Sequence, residues 1–274
     1  MRYLAVLLVL ILTATLPAHT LWLFSSSYII DMQGEDHDTP HPFSILYGWG
    51  HSMPVDDQLT RAQVDRMLIC APDGVVTPLE PGPEGGYLAT QIAPTVAGRY
   101  VAGAALKPYL FTSFHDGDRT KFLLVGKDGI PEGVEVITSR RTNQFAKTVV
   151  SVGDTTGMPA DHELGLELEV ILQADPTTML AGSTMPFLVK FRNEPLHVKT
   201  YSVVVKMTRL GFAGDTEITL GTDGKASAIL PDTGVYQIAV ALEEAVSAEE
   251  LQDIDGVRYS STTTFACTAG LSHD

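Results

Sequence analysis

The sequence predicts an all-β fold, and three observations support this. Short runs of β-branched, aromatic and other apolar residues recur along the chain. In the second half these runs lie roughly ten to fifteen residues apart and are divided by turn signals. The chain also contains 24 Gly and 16 Pro, which suit many turns. Its 274 residues suggest one large or two small domains. We expect two, an N-terminal β-sandwich or barrel-like domain and a second β-sandwich.

Residues 1–18 have the pattern of a secretory signal peptide. Arg2 supplies the positive start, Leu4 to Leu12 form an apolar run, and the small residue Ala18 ends the segment. The run is short for a membrane span, although an uncleaved signal anchor is the alternative. Cleavage after Ala18 would leave His19 as the first mature residue. We therefore expect a periplasmic or otherwise extracytoplasmic protein.

The N-terminal β domain is predicted to span residues 19–155. A polar loop over 32–42 and a loop rich in Pro and Gly over 71–86 interrupt its strands. The last segment of this domain could be a strand or a short helix. The predicted segments are Thr20–Ile30, Phe43–Tyr47, Gln63–Cys70, Tyr87–Ile92, Gly98–Ala105, Lys121–Val125 and Thr142–Val152.

The C-terminal domain is predicted to span residues 163–268, after a polar boundary at 153–162. Ser247 and Glu250 have the spacing of a capping box, which predicts a short helix before the terminal strand. The predicted strands are Leu166–Ala174, Met185–Phe191, Tyr201–Thr208, Glu217–Leu220, Ala226–Ile229, Val235–Leu242 and Tyr259–Cys267.

Composition excludes some classes of function. With 18 Lys and Arg against 33 Asp and Glu, the formal net charge is −15, the reverse of a nucleic-acid binder. An acidic surface attracts cations. Two Cys are too few for a disulfide scaffold. Cys70 and Cys267 could pair across the two domains or remain two buried thiols. No nucleophile elbow, P-loop or His-Glu-x-x-His motif is present, and we expect no enzyme activity.

Several segments together resemble one known family. They are His19-Thr20-Leu21-Trp22-Leu23, the run from Tyr47 through Gly50-His51 to Pro54 and Asp56, Arg141–Asp154 with Lys147, Gly165–Asp175, and Thr222–Val240. In this order they resemble the domain-of-unknown-function 4198 family over about residues 19–268. The last segment resembles the closing hairpin of an immunoglobulin-like or carboxypeptidase-regulatory-like domain. The resemblance implies an exported protein associated with nickel or cobalt uptake by an energy-coupling-factor transporter.

Histidines supply the candidate metal ligands. A mature His19 would offer an α-amine and an imidazole to one ion, and His51 matches the family pattern. His37 and His41 lie in an acidic loop, and His115 precedes Asp116 in a turn. Each could add a ligand, but a plain solvated loop or polar turn is the favoured interpretation of all three. Asp56 or Asp57 could orient an imidazole. Three nitrogen ligands suit Ni(II) and also Co(II) or Cu(II).

We therefore expect an exported accessory protein that binds Ni(II) or Co(II) and delivers it to a membrane transporter. The first alternative is a copper protein with a histidine brace, as in copper carriers or lytic polysaccharide monooxygenases, which also begin with a mature His on a β-sandwich. The second is a scaffold or adhesion module in which His19 has no role in binding metal.

Overall fold

The computed structural model describes residues 19–31, 41–51, 57–80, 82 and 87–268. Within these residues the secondary structure is strands and four single-turn 3-10 helices, so the predicted all-β class is confirmed. The 3-10 helices are Arg61–Gln63, Lys127–Gly129, Pro176–Thr178 and Glu250–Gln252. The strands are β1 Thr20–Ser25, β2 Ile29–Ile30, β3 Phe43–Gly50, β4 Val64–Cys70, β5 Val76–Pro78, β6 Ala89–Ile92, β7 Gly98–Leu106, β8 Tyr109–Asp116, β9 Arg119–Leu123, β10 Glu135–Val152, β11 Leu168–Leu172, β12 Thr184–Phe191, β13 Glu194–Pro195, β14 Ser202–Arg209, β15 Thr216–Glu217, β16 Lys225–Ile229, β17 Gly234–Glu244 and β18 Gly256–Cys267.

The described strands form three open sheets rather than a closed barrel. A long sheet runs in the order β15-β14-β17-β18-β10-β7-β4-β5, with β2, β8 and β9 attached through β10. A short N-terminal sheet has the order β1-β3-β6, and a C-terminal sheet joins β11, β12, β13 and β16. The N-terminal part is therefore a sandwich, and the barrel-like alternative is not what forms.

The strand β10 is shared by two hydrophobic cores. Ala146 and Val150 pack into a cluster with the N-terminal sheet, whereas Phe145 and Val149 pack into a second cluster with the C-terminal sheet. This division follows from the two-residue period of a strand, which sends alternate side chains to opposite faces. β7 is likewise buried along its whole length. The middle of the long sheet is therefore covered on both faces, and the molecule has three layers there.

The terminal strand joins the two predicted domains within one sheet. β18 pairs in parallel with β10 and antiparallel with β17. Thr262 and Thr264 on β18 also donate hydroxyl hydrogen bonds to the main-chain carbonyls of Leu21 and Leu23 on β1. The segment 153–162 does connect the long sheet to β11, but the long sheet contains strands from both sides of that boundary. The division into two domains stays a prediction.

Several local predictions can be compared with the described structure. The segment that could be strand or helix is the C-terminal part of β10, an 18-residue strand. β8 lies where no strand was predicted. The Ser247–Glu250 box forms, because the Glu250 N–H donates to Ser247 Oγ and the Ser247 N–H donates to Glu250 Oε2, but the helix is one 3-10 turn.

Cys70 and Cys267 are both buried, free thiols. No helix in the described ranges is long and apolar enough to cross a bilayer.

Candidate metal site

The pairing of β1 with β3 brings His19 beside His51. The antiparallel register places Thr20 opposite Gly50, so one further step along each strand places His19 opposite His51. Directly opposed side chains in an antiparallel pair lie about 4.5–5.5 Å apart at Cβ. The two imidazole rings are 4.2 Å apart between centroids and are tilted by 44°. Two residues separated by 32 positions in sequence therefore share one end of the N-terminal sheet.

Trp49 forms one wall of this site. It lies opposite Leu21 in the register, on the same sheet face as His19. Its ring stacks on the His19 imidazole, with centroids 4.2 Å apart and planes inclined by 17°. The indole Nε1 is buried and has no hydrogen-bond partner among the described residues. The intervening tryptophan before Gly50-His51 therefore orients the imidazole of His19 and limits its access to water.

Asp57 is the third side chain at this end of the sheet, beside His19 and His51. Its N–H donates to the Trp49 carbonyl over 3.2 Å, forming a single β-bridge that returns the chain to the end of β3. Its Oδ2 lies 3.2 Å from His19 Nε2. The His19 side chain is 21% exposed and that of Asp57 is 50% exposed. Of the two acids considered from sequence, Asp57 contacts His19, whereas Asp56 lies outside the described residues.

Gln144 on β10 holds the backbone at His19 from below. Its Nε2 donates to the His19 carbonyl and, over 2.9 Å, to the hydroxyl of Tyr109. Burial raises the pKa of Tyr109 to about 12, so this hydroxyl keeps its proton at neutral pH. Sequence reasoning missed Gln144 and Tyr109 as neighbours of His19. A contact across 125 residues leaves no local spacing by which it could be found.

Two glycines shape the strand that carries His51. At Gly48 a Cβ would lie 1.9 Å from Nε1 of Trp22, so the absence of a side chain lets the indole pack across β3. Gly50 has φ of 141°, a conformation that other residues rarely adopt, and it directly precedes His51. Both glycines therefore have a backbone reason for their positions beside the site.

The other predicted ligands do not join this group. His41 lies before β3, at the end opposite His51, and the eight residues of that strand span about 25 Å. His115 lies six residues along β8 from Tyr109, about 20 Å from the neighbourhood of His19. His37 lies outside the described residues. The structure thus brings together His19 and His51 with Asp57, and it separates His41 and His115 from them.

The three side chains offer two imidazoles and one carboxylate. Two ligands that bind one ion at about 2.1 Å lie roughly 3 Å apart, comparable to the 3.2 Å between His19 Nε2 and Asp57 Oδ2. The same separation also fits a hydrogen bond. As they stand, the described residues contain no group of three or more His, Cys, Asp or Glu side chains arranged to hold a metal. His51 would have to turn toward the pair for all three to share an ion.

The fold is an all-β sandwich, and the sequence places it in a family. The family described as a domain of unknown function, DUF4198, matches residues 16–244, so the chain belongs to this family. The matched range contains His19, His51, Asp57 and Gln144. The family's description names no activity, ligand or partner. No curated protein matches the chain.

The solved structures that match this chain are remote from it. Salmonella α2-macroglobulin reacted with methylamine matches at 11% identity and a TM-score of 0.25, covering 90% of this chain and 15% of that one. The fibronectin(III)-like modules of Clostridium thermocellum CbhA match at 11% identity and a TM-score of 0.20, covering 92% and 97%. Three N-terminal domains of the bacteriophage RB49 capsid protein Hoc match at 9% identity and 0.21, covering 90% and 99%. The chain spans about 15% of the length of that α2-macroglobulin. Such low TM-scores support no argument about the site.

Proposed function

We propose that the protein is exported, begins at His19 after cleavage, and binds a divalent transition-metal ion that it delivers to a membrane uptake transporter. Ni(II) is the preferred ion of this proposal, with Co(II) next. The observation that carries it is the cross-strand pair His19–His51, with Asp57 at 3.2 Å from His19 Nε2. The metal is cargo here, and no reaction is required of the protein.

The donor chemistry supports a borderline metal ion rather than a hard one. Imidazole nitrogen suits Ni, Co, Cu and Zn, whereas Mg and Ca prefer sites made of oxygen ligands. In the mature form the α-amine of His19 would add a nitrogen from the same residue as its imidazole. His19 and His51 would then supply three nitrogen ligands. Because a chelate with the α-amine uses Nδ1 of His19, Asp57 at Nε2 would orient the ring instead of binding the ion.

The position of the site supports exchange of the ion with a partner. The side chains of His19 and Asp57 are partly exposed at the end of the N-terminal sheet. A chain with a net charge of −15 also attracts cations, within a Debye length of about 8 Å at physiological salt. An energy-coupling-factor transporter is the partner that the family resemblance implies.

Metal titration by calorimetry tests the proposal. The chain beginning at His19 is titrated with Ni(II), Co(II), Cu(II) and Zn(II), beside a matched chain that carries one additional N-terminal residue. We expect stoichiometric Ni(II) binding that weakens strongly in the extended chain, because the additional residue removes the free α-amine of His19. The variant His51→Ala should lose binding as well, and His162→Ala serves as the control histidine.

Each result leads to a different conclusion. Preference for Cu(II) with the same dependence on the free amine would replace nickel delivery with a copper histidine brace. Equal binding by both chains and by His51→Ala would overturn the N-terminal site. Weak surface association alone would leave the scaffold or adhesion module as the function.

A further inference from the structure

Three charged side chains lie inside the protein on the face of β10 opposite to Gln144. Lys147 is on β10, Asp161 is in the segment after it, and Glu169 is on β11. The side chains of Lys147 and Asp161 are 0% exposed and that of Glu169 is 3% exposed. Lys147 Nζ is 2.8 Å from Asp161 Oδ2 and 3.2 Å from Glu169 Oε1. Lys147, Asp161 and Glu169 form a buried triad.

The backbone holds both carboxylates of the buried triad in place. Every carboxylate oxygen accepts one main-chain N–H. The donors to Asp161 and Glu169 are His162 at 2.7 Å, Leu172 at 2.9 Å, Leu164 at 2.8 Å and Leu166 at 3.2 Å. These main-chain hydrogen bonds therefore hold both carboxylates in contact with the amine of Lys147.

Burial of these three charges is unfavourable, because it removes them from water. One ammonium and two carboxylates carry a net charge of −1 beside the hydrophobic cluster that contains Phe145, Val149 and Leu166. Buried ion pairs often fail to repay the cost of removing both charges from water. Joining the amine to one carboxylate would replace a pair of buried charges with a neutral amide.

We propose that Lys147 and Asp161 condense into an intramolecular amide bond, with Glu169 as the acid and base of the reaction. This inference is independent of the proposed metal binding. The site would be a covalent modification made once, during maturation of the folded chain. The reacting groups come from the protein alone, and the only other product is water.

The step balances without a further reactant. A proton passes from the Lys147 ammonium to Asp161, giving an amine and a carboxylic acid. Lys147 Nζ attacks Asp161 Cγ, and Glu169 takes a proton from the attacking nitrogen. Glu169 returns that proton to the departing hydroxyl, which leaves as water. The proton from Lys147 goes to Oδ2, the nearer oxygen, so negative charge develops on Oδ1, which accepts the N–H of His162. The site has a net charge of −1 before and after the reaction.

Burial favours the neutral form of Asp161, but the environment as a whole does not favour the neutral form of Lys147. It raises the pKa of the Asp161 carboxyl against the opposing effect of Lys147. Burial also lowers the pKa of Lys147, but Asp161 and Glu169 outweigh it and leave that pKa above its ordinary value. The ammonium is therefore the resting form, and the reactive neutral pair is a minor species. Fixed contact between the groups compensates for a low population, since well-oriented intramolecular reactions have effective molarities of about 10⁵–10⁸ M.

Tryptic peptide mapping of the full-length chain, carried out after the chain has folded, tests the proposal. Trypsin cuts an unmodified chain after Arg141, Lys147 and Lys190, which releases the peptides 142–147 and 148–190. An amide at Lys147 blocks the middle cut. The expected product is a single peptide 142–190, lighter than its sequence by one water. Free peptide 142–147 in stoichiometric yield, after prolonged incubation of the folded protein, would overturn the proposal.

Matched variants separate this bond from other losses of water. Asp-Gly pairs such as Asp223-Gly224 can lose water by cyclising, but that leaves the cut at Lys147 intact. Lys147→Arg should restore both the full mass and the cut after residue 147. Glu169→Gln keeps the shape of the side chain and should leave the bond unformed, whereas Lys190→Arg should form it normally. An unchanged water loss in folded Lys147→Arg would contradict the assignment to this lysine.

Discussion

On one face of β10, Gln144 holds the carbonyl of His19 at a site that opens to solvent; on the other, Lys147 meets two acids sealed from solvent. At the open site, the described contacts are stacked rings and a carboxylate at 3.2 Å from His19 Nε2, and Asp57 is half exposed. In the buried triad, each carboxylate oxygen accepts a backbone N–H. The open group suits an exchangeable ligand, whereas the sealed group suits a permanent role.

The largest effect should come from removing Lys147 from the buried triad. Lys147→Met leaves two buried carboxylates with their backbone N–H donors but with no lysine to pair with, and loss of such a partner typically costs about 3–5 kcal/mol. Chemical denaturation measures the loss of unfolding free energy. Lys190→Met is the control, because Lys190 pairs with Glu163, whose side chain is 53% exposed, and such pairs contribute at most about 1 kcal/mol. Equal losses in the two variants would remove the distinction between sealed and open charges.

The next effect concerns β3, the strand that carries His51 into the open site formed by His19, His51 and Asp57. Gly48→Ala places a Cβ where Nε1 of Trp22 lies, so the indole must move and stability should fall by about 1–3 kcal/mol. Thermal unfolding measures the loss. Combining Gly48→Ala with Trp22→Leu should cost less than the sum of the single variants, because the clash disappears. Strict additivity would mean that Trp22 does not limit this position.

A smaller effect is expected at the carboxylate of the open site. Asp57→Asn keeps the shape of the side chain but removes its charge beside His19, so Ni(II) should bind about tenfold more weakly, as for other groups that orient metal ligands. Calorimetry compares this variant with Asp116→Asn, which changes a carboxylate at the far end of β8. Similar losses in both variants would indicate general attraction of cations instead of a defined contact.

The smallest effect tests the limits of the open site. His41→Ala and His115→Ala should leave Ni(II) affinity unchanged, because both residues lie about 20 Å or more from His19 along their strands. The same titration, run beside His51→Ala, makes this comparison. Weaker binding in either variant would extend the site beyond the end of the N-terminal sheet.

The sequence predicts the strands well because each strand is defined by local apolar runs and turns. β1, β3 and β7 lie where the pattern places them, whereas β8 was not predicted although Tyr109–Phe114 has the aromatic and β-branched residues typical of a strand. The pairing of His19 with His51 follows from the register of β1 and β3, and that register cannot be obtained from one sequence. Gln144 and the buried triad depend on contacts between layers. Lys147 stood out only as part of the family resemblance, and its role depends on Asp161 and Glu169, which lie beside it only in the folded chain.

The hydroxyls of Thr262 and Thr264 fasten β1 from the other end of the chain, 241 residues away. A polypeptide emerges with its N-terminus first, so β1 cannot acquire these bonds until nearly all of the chain is available. The strand that begins directly after His19 is therefore among the first parts to be made and among the last to be fully anchored. The backbone beside His19 therefore gains its last hydrogen bonds only when the final strand is in position.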